Sequence, residues 1–340
     1  MSTVAIDISD TIIRLVVLNH RRNRWRLPIR AEIPVPAGNI VDGDIKQPNE
    51  VSRLLKSLVG ATGVHIKDAY IFLPERHTFV KMISLPADSP SKLEQAVPES
   101  LTQHIPYPIN EVYWDWFATP KKNSLGQRQV LVGVAPRVTV DTYLHVLADA
   151  GLNVVVADIE SVSITRAMFG PTPPADTRII LDLGRTRSTL ILVNNGVVQF
   201  TSTLRYAGRE LNRYIADELH LDYRQAERAK SLFGLDPKRG KGLLRAVLIP
   251  HLDAIASSIS EVEDFYQEHF VDHQPISQIQ VTGSGALLRN LDVELQTRLS
   301  QPVLVAPSWI YNQLIETDSS LPKELGYTHT SVFGLAMTVI

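Results

Sequence analysis

Short apolar runs broken by polar turns mark the start of the chain. Residues 4–8 are apolar except for Asp7, and the apolar pattern resumes over 12–18. A polar tip carrying Arg21, Arg22, Arg24 and Arg26 follows, and then 25–33, so this stretch is read as strands joined by turns. Residues 49–59 place Val51, Leu54, Leu55 and Leu58 at helical spacing, and 69–73 and 79–85 read as strands. Residues 92–105 carry Leu93, Ala96, Val97, Leu101 and Ile105 on one helical face. Pro98 is expected to kink that helix or remove one of its hydrogen bonds, and Pro106 and Pro108 to stop it. Residues 112–117 alternate, with Trp114 and Trp116 on one face and Tyr113, Asp115 and Phe117 on the other. A strand over 129–136 precedes a helix over 138–150, ended by Gly151.

The sharpest break is Gly170-Pro171-Thr172-Pro173-Pro174, which neither a helix nor a central strand tolerates. Beyond it, 178–183 and 188–193 read as strands, followed by the turn Asn194-Asn195-Gly196. Helices are expected over 209–219, 223–233 and 244–270, a short strand over 279–281, and helices over 287–299 and 331–340. No run of about 18 apolar residues is apparent, so no membrane-crossing helix is expected. The first residues lack the basic and apolar regions of a signal peptide.

Composition narrows the function. With 340 residues, two domains are the expectation. The 34 basic and 36 acidic side chains give a net charge of −2, which argues against a dedicated nucleic-acid binder. The chain has no cysteine, so disulfides, zinc–thiolate sites, iron–sulfur clusters and cysteine nucleophiles are excluded. The expected setting is cytoplasmic, with any attachment to a membrane made through a partner.

One motif occurs twice. Val4-Ala5-Ile6-Asp7-Ile8-Ser9-Asp10-Thr11 and Ile179-Ile180-Leu181-Asp182-Leu183-Gly184-Arg185-Thr186 each hold an apolar strand, a lone Asp and a polar turn before a second strand. Such self-similarity suggests two domains of related fold. Tight turns expose N–H groups that can cradle phosphate, and a lone carboxylate ending a buried strand needs a partner or a cation. Two such turns face to face could hold the phosphates of one nucleotide, with Asp7 and Asp182 near Mg²⁺ through its waters. The bland alternative is that both Asp residues only cap turns. A third element, Thr282-Gly283-Ser284-Gly285-Ala286-Leu287-Leu288, reads as a strand end, a glycine loop and a helix start.

These motifs resemble the actin-like ATPase superfamily, and more closely the PilM family of type IV pilus assembly proteins, which is related to FtsA. The similarity covers nearly the whole chain. It implies an α/β, actin-like (ribonuclease H-like) two-lobed fold with an inserted subdomain. Lobe one would span 1–172, with the insertion at about 75–140 and the closing helix 329–340 returning to it; lobe two would span 175–328. The resemblance places Asp7, Ser9, Asp10, Thr11 and Arg14 at a first phosphate loop, and Asp182, Gly184, Arg185 and Thr186 at a second. It places Gly283, Ser284 and Gly285 at the adenosine, with Glu227 and Lys230 on the helix beside it and Gly208 near the ribose. ATP and Mg²⁺ are the implied ligands. The implied partner is a PilN-like inner-membrane protein, whose short N-terminal cytoplasmic peptide would lie in a groove beside the inserted subdomain. Lys81–Pro86 and the His104–Val112 stretch are the segments similar to that subdomain.

Three positions depart from the pattern. Ser9 and Ser284 replace glycines, and a residue forced to positive φ costs about 1 kcal/mol. Arg14 stands where lysine is common, while Arg185 and Arg187 add charge near the phosphates. No side chain is assigned to position an attacking water, so at most weak ATP hydrolysis is expected. The alternatives are a small-molecule kinase, for which Asp115 and Glu99 are the available bases, and a nucleotide-free secretion (GspL-like) or cell-division adaptor. The arginine tip is read as an exposed turn, with contact to anionic lipid as the alternative.

Overall fold

A computed structural model describes residues 2–63, 65, 67–86, 90–105 and 107–338. Pro106 and residues 339–340 of the expected closing helix lie outside them. Two large sheets organise the chain. The first runs in the order Asn153–Ile159, Asp68–Leu73, Ser2–Ile8, Ile12–Arg21, Arg24–Pro34. The second runs Val303–Val305, Ile276–Thr282, Thr177–Leu183, Ser188–Asn194, Val197–Leu204, and then Phe79–Leu85, Arg128–Pro136, Val112–Lys122.

The repeat in the sequence is a repeat in space. In each sheet the Asp-bearing strand is parallel to one neighbour and antiparallel to the next. The register agrees: Asp7 pairs with Arg14 and Asp182 with Thr189, seven residues on in both cases. Both strands are buried on two faces, so they read as continuous apolar runs.

Helices cover both faces of the first sheet. Pro48–Thr62 and Arg137–Asp149 bury Leu55, Leu58, Tyr143 and Leu147 against Ile6, Leu15 and Ile71. On the other face Thr330–Ala336 packs Val332, Phe333 and Leu335 against Ala5, Val16 and Leu18. Each such side chain contributes about 1.5–3 kcal/mol on burial. Gly334 lies against the Ser163 carbonyl of helix Glu160–Phe169, an approach that leaves no room for a Cβ.

The strands of the expected insertion continue the second sheet, joining it at the pair Phe200–Lys81. Helix Pro90–His104 covers them with Leu93, Val97 and Leu101, and retains Pro98 inside. Trp114 and Trp116 pack against this small core.

Several expectations change. Strand Asn153–Ile159 and helix Glu160–Phe169 form where no element was read. The helix expected over 287–299 is a single 3₁₀ turn, Ser284–Leu287, and a short helix, Leu291–Gln296, separated at Asn290 with φ 59°. Helix Trp309–Ile315 was not anticipated. Contrary to the expectation that no segment suffices, helix Leu243–His269 lies in a stretch long and apolar enough to cross a membrane. In this fold its Leu244, Leu248, Leu252, Ile255, Ile259 and Tyr266 pack into the core beneath the second sheet.

A candidate nucleotide cleft

Three loops meet between the sheets. The first follows strand Ser2–Ile8, where Ser9 Oγ and N both donate to the Ile12 carbonyl, at 2.8 and 3.1 Å. The second follows Thr177–Leu183. The third follows Ile276–Thr282, whose Thr282 pairs in parallel register with Asp182. The second and third loops therefore leave neighbouring strand ends together, the usual place for a ligand in such a sheet.

Glycine is required where these loops touch. Gly283 has φ 82°, and a Cβ there would stand 2.5 Å from both Asp182 Oδ1 and the Leu183 carbonyl. A Cβ on Gly285 would meet Leu183, and one on Gly184 the Arg187 carbonyl. Ser9 and Ser284 do not have positive φ. The strain that would follow from replacing glycine is absent at both.

The loops enclose a cleft of about 640 Å³. Asp7, Ser9, Thr11 and Arg14 line it from the first sheet, and Asp182, Gly184, Arg185 and Thr186 from the second. Gly208, Glu227, Lys230, Gly283, Ser284 and Gly285 complete its wall. Asp10 is the expected residue that does not line it. Its carboxylate accepts the backbone N–H groups of Asp42 and Gly43, at 3.0 and 2.9 Å, and so pins a turn. Glu99 and Asp115, the bases available to a kinase, lie on the inserted strands and their helix and do not line the cleft.

Buried charge dominates the floor. Arg14 bonds Asp7 at 2.8 Å instead of standing free, and burial still holds the Asp7 carboxyl above its usual range. Burial pushes Asp182 up to about 6, against the pull of Arg187. Arg187 bonds Glu160 at 3.1 Å, and burial pushes Glu160 up to about 8 despite that partner. Glu75 is buried nearby and accepts the Ser161 N–H at 3.2 Å. At the other end Lys230 donates to the Gly208 carbonyl at 2.9 Å, and desolvation brings it down to about 8. Arg185 reaches Glu227 at 3.4 Å.

Three buried donors in the cleft wall, Arg14 Nε, Arg187 Nη1 and Ser188 Oγ, have no hydrogen-bond partner among the described residues. Buried polar groups are rarely left so; Arg187 ends the loop that follows Thr177–Leu183, and Ser188 opens the next strand. Together with Arg185 and Lys230 they fit an anionic ligand carrying several acceptor oxygens. The glycine cradle at 283–285 gives a flat group close backbone approach. Among the described residues no cluster of three or more metal-binding side chains exists. Two hard carboxylates, Asp7 and Asp182, suit Mg²⁺ held mainly by water and phosphate oxygens.

Glu160 and Glu75 were not picked out from the sequence. The signal for Glu160 was the short apolar run 154–157 before it, in a strand whose end opens the helix Glu160–Phe169. Nothing local marks Glu75, which a turn carries inward.

The family described as "Type IV pilus assembly protein PilM" matches residues 5–339. Among solved structures, the PilM-PilN type IV pilus biogenesis complex superposes with a TM-score of 0.83 at 22% identity, covering 99% of this chain and 98% of that one. Ethanolamine utilization protein EutJ from Carboxydothermus hydrogenoformans gives 0.58 at 17%, covering 98% and 89%. MreB5 of Spiroplasma citri bound to ADP gives 0.51 at 14%, covering 96% and 97%. At these identities the structural likeness establishes the actin-like fold.

Proposed function

The chain belongs to the type IV pilus assembly protein PilM family, and from that premise we propose that it is a nucleotide-responsive scaffold of pilus assembly. Residues 1–172, with the insertion at about 75–140 and the closing helix from 329 returning to them, act as one lobe and residues 175–328 as the other, and the cleft between them takes ATP. Asp182, Gly184, Arg185, Thr186 and the free donors Arg187 Nη1 and Ser188 Oγ receive the phosphates from one side, and Ser9 and Thr11 from the other. Gly283, Ser284 and Gly285 face the adenosine opposite Glu227 and Lys230. Mg²⁺, when bound through waters of Asp7 and Asp182, supplies neutralisation of phosphate charge. The carrying observation is that loops from both halves of a duplicated fold close on one cleft with buried, unpartnered donors.

The partner is a PilN-like inner-membrane protein, as in the solved PilM-PilN complex, so the chain works at the cytoplasmic face of that membrane. Its peptide docks where the insertion meets the edge strand Asn153–Ile159. There the Ile159 side chain lies so close to Gly133 that a Cβ would stand 2.8 Å from it. Phe117 and Val155 are exposed on the two strands concerned, and an open strand edge is a ready template for an extended peptide. A rival nucleotide-free adaptor predicts peptide binding without ATP binding. The test is calorimetry with ATP, and of the partner's N-terminal peptide with and without saturating ATP. Measurable ATP affinity and a shift in peptide affinity support the reading; no ATP affinity overturns it, and identical peptide affinities remove the coupling.

A further inference from the structure

The hairpin joining Ile12–Arg21 to Arg24–Pro34 carries charge that the fold does not use. Arg21, Arg22, Arg24 and Arg26 are all exposed, and among the described residues none of their side chains has a hydrogen-bond or ion-pair partner. The chain as a whole is slightly acidic, so this is a local concentration. Three of the four stand where local physics disfavours arginine. Arg21 and Arg24 are direct cross-strand partners, and like charges set opposite one another destabilise a strand pair. Arg22 takes the first of two left-handed turn positions, with φ 52° followed by Asn23 at 58°. Glycine, asparagine or aspartate fill that kind of turn at lower cost. Two local rules broken at one tip, with no internal contact in return, point to something outside the chain.

The shape of the tip narrows what that is. Pairing with strand Ser2–Ile8 ends at Ser2–Asn19, so residues 20–25 extend past the sheet and pair only with each other. The one large aromatic there, Trp25, is buried under His20 and beside Trp309. A convex basic turn without exposed rings offers no platform for stacking bases. It suits a broad anionic surface that several guanidiniums can meet at once.

We propose that this tip docks on the anionic phosphate headgroups of a lipid bilayer. The pilus-assembly reading adds only that such a membrane is at hand. The contact is electrostatic and shallow, supplied by Arg21, Arg22, Arg24 and Arg26 without insertion of apolar side chains.

The test is flotation of the full chain with phosphatidylcholine vesicles, with and without phosphatidylglycerol, at low and raised salt. The comparison protein carries Arg21→Gln, Arg22→Gln, Arg24→Gln and Arg26→Gln together. The parent is expected to float only with anionic vesicles, less at raised salt, with affinity falling about fivefold per arginine removed. The variant keeps its ATP affinity and melts no earlier than the parent, which shows that it folds. Flotation of the variant equal to the parent, or no flotation of the parent, overturns the proposal. Loss of partner-peptide binding by the variant, without vesicle binding by the parent, overturns it too and reassigns the tip to a protein surface. The vesicles hold neither partner nor nucleotide, so none of these failures bears on the cleft.

Discussion

Replacing Glu160 by Gln isolates one buried charge in the cleft. Burial moves this carboxyl from its ordinary 4.5 to about 8. Across that interval the folded protein keeps a proton that the unfolded chain has released, so the folded state binds more protons and loses stability as pH rises. At about 1.4 kcal/mol per pH unit the full interval amounts to about 5 kcal/mol. The side chain is 18% exposed, and partial screening reduces this to about 2–3 kcal/mol. Glutamine resembles the protonated acid, so Glu160→Gln and the parent should be equally stable near about pH 3, below the ordinary 4.5, where the carboxyl is neutral in the folded and the unfolded state alike. Near about pH 9 the variant should be the more stable by that amount. Urea unfolding of the nucleotide-free protein across the series measures the difference directly. The other raised carboxyls, Asp7, Asp182 and Glu75, affect both proteins and cancel to first order. Parallel pH profiles would show that Glu160 is ionised throughout and that its contact with Arg187 is an ordinary ion pair.

Gly283→Ala forces a Cβ against Asp182 and Leu183 at φ 82°, and should cost about 2–4 kcal/mol along with ATP binding; an unchanged melting temperature would contradict this. Ser9→Gly should leave ATP affinity no better by calorimetry, because Ser9 has no positive φ to relieve. Lys230→Met should weaken ATP about tenfold. Parental affinity should also decline above pH 8, where Lys230 loses its proton, while the variant's should not; matching pH profiles would remove Lys230 from the site. Burial holds His329 neutral, down to about 3. The unfolded chain takes up that proton first as pH falls, so stability drops below about pH 6.5 and His329→Gln should flatten the decline in acid unfolding curves.

What the sequence revealed of the fold was the repeat, because a strand buried on both faces with one Asp near its end is a pattern that chance rarely produces twice. The phosphate and adenosine loops followed from it, and those residues line one cleft, Asp10 excepted. Asp10 shares its composition with a phosphate loop, but its role is fixed by Asp42 and Gly43, thirty-odd residues away, which no local pattern encodes. Glu75 is hidden in the same way, since its partner Ser161 is distant in the chain. Strand Asn153–Ile159 was missed for a different reason. It is an edge strand with only partial burial, and its apolar run is short. The helix expected over 287–299 failed in its first turn: the periodicity continues there, but Leu288 is extended and Asn290 left-handed, so the helix starts only at Leu291. Helix Leu243–His269 shows the converse, since an apolar run suitable for lipid serves as the core of a sheet-covering layer.

On the proposed reading, the insertion is where the nucleotide cleft and the peptide groove would sense one another. Its strands hydrogen-bond to the second sheet at Phe200–Lys81, yet its Gly133 packs on Ile159 of the first. It therefore belongs to one sheet by bonding and to the other by contact, and any change in the angle between the sheets must alter that contact. The residue after Ile159 is Glu160, which meets Arg187 from the second sheet across the cleft. In the proposed mechanism, phosphate that drew the Arg187 guanidinium away would act on Glu160, and so on the strand end where Ile159 lies against Gly133 of the insertion. Consecutive residues, Ile159 and Glu160, thus face the two proposed sites, and the proposal needs no longer chain of contacts to join them.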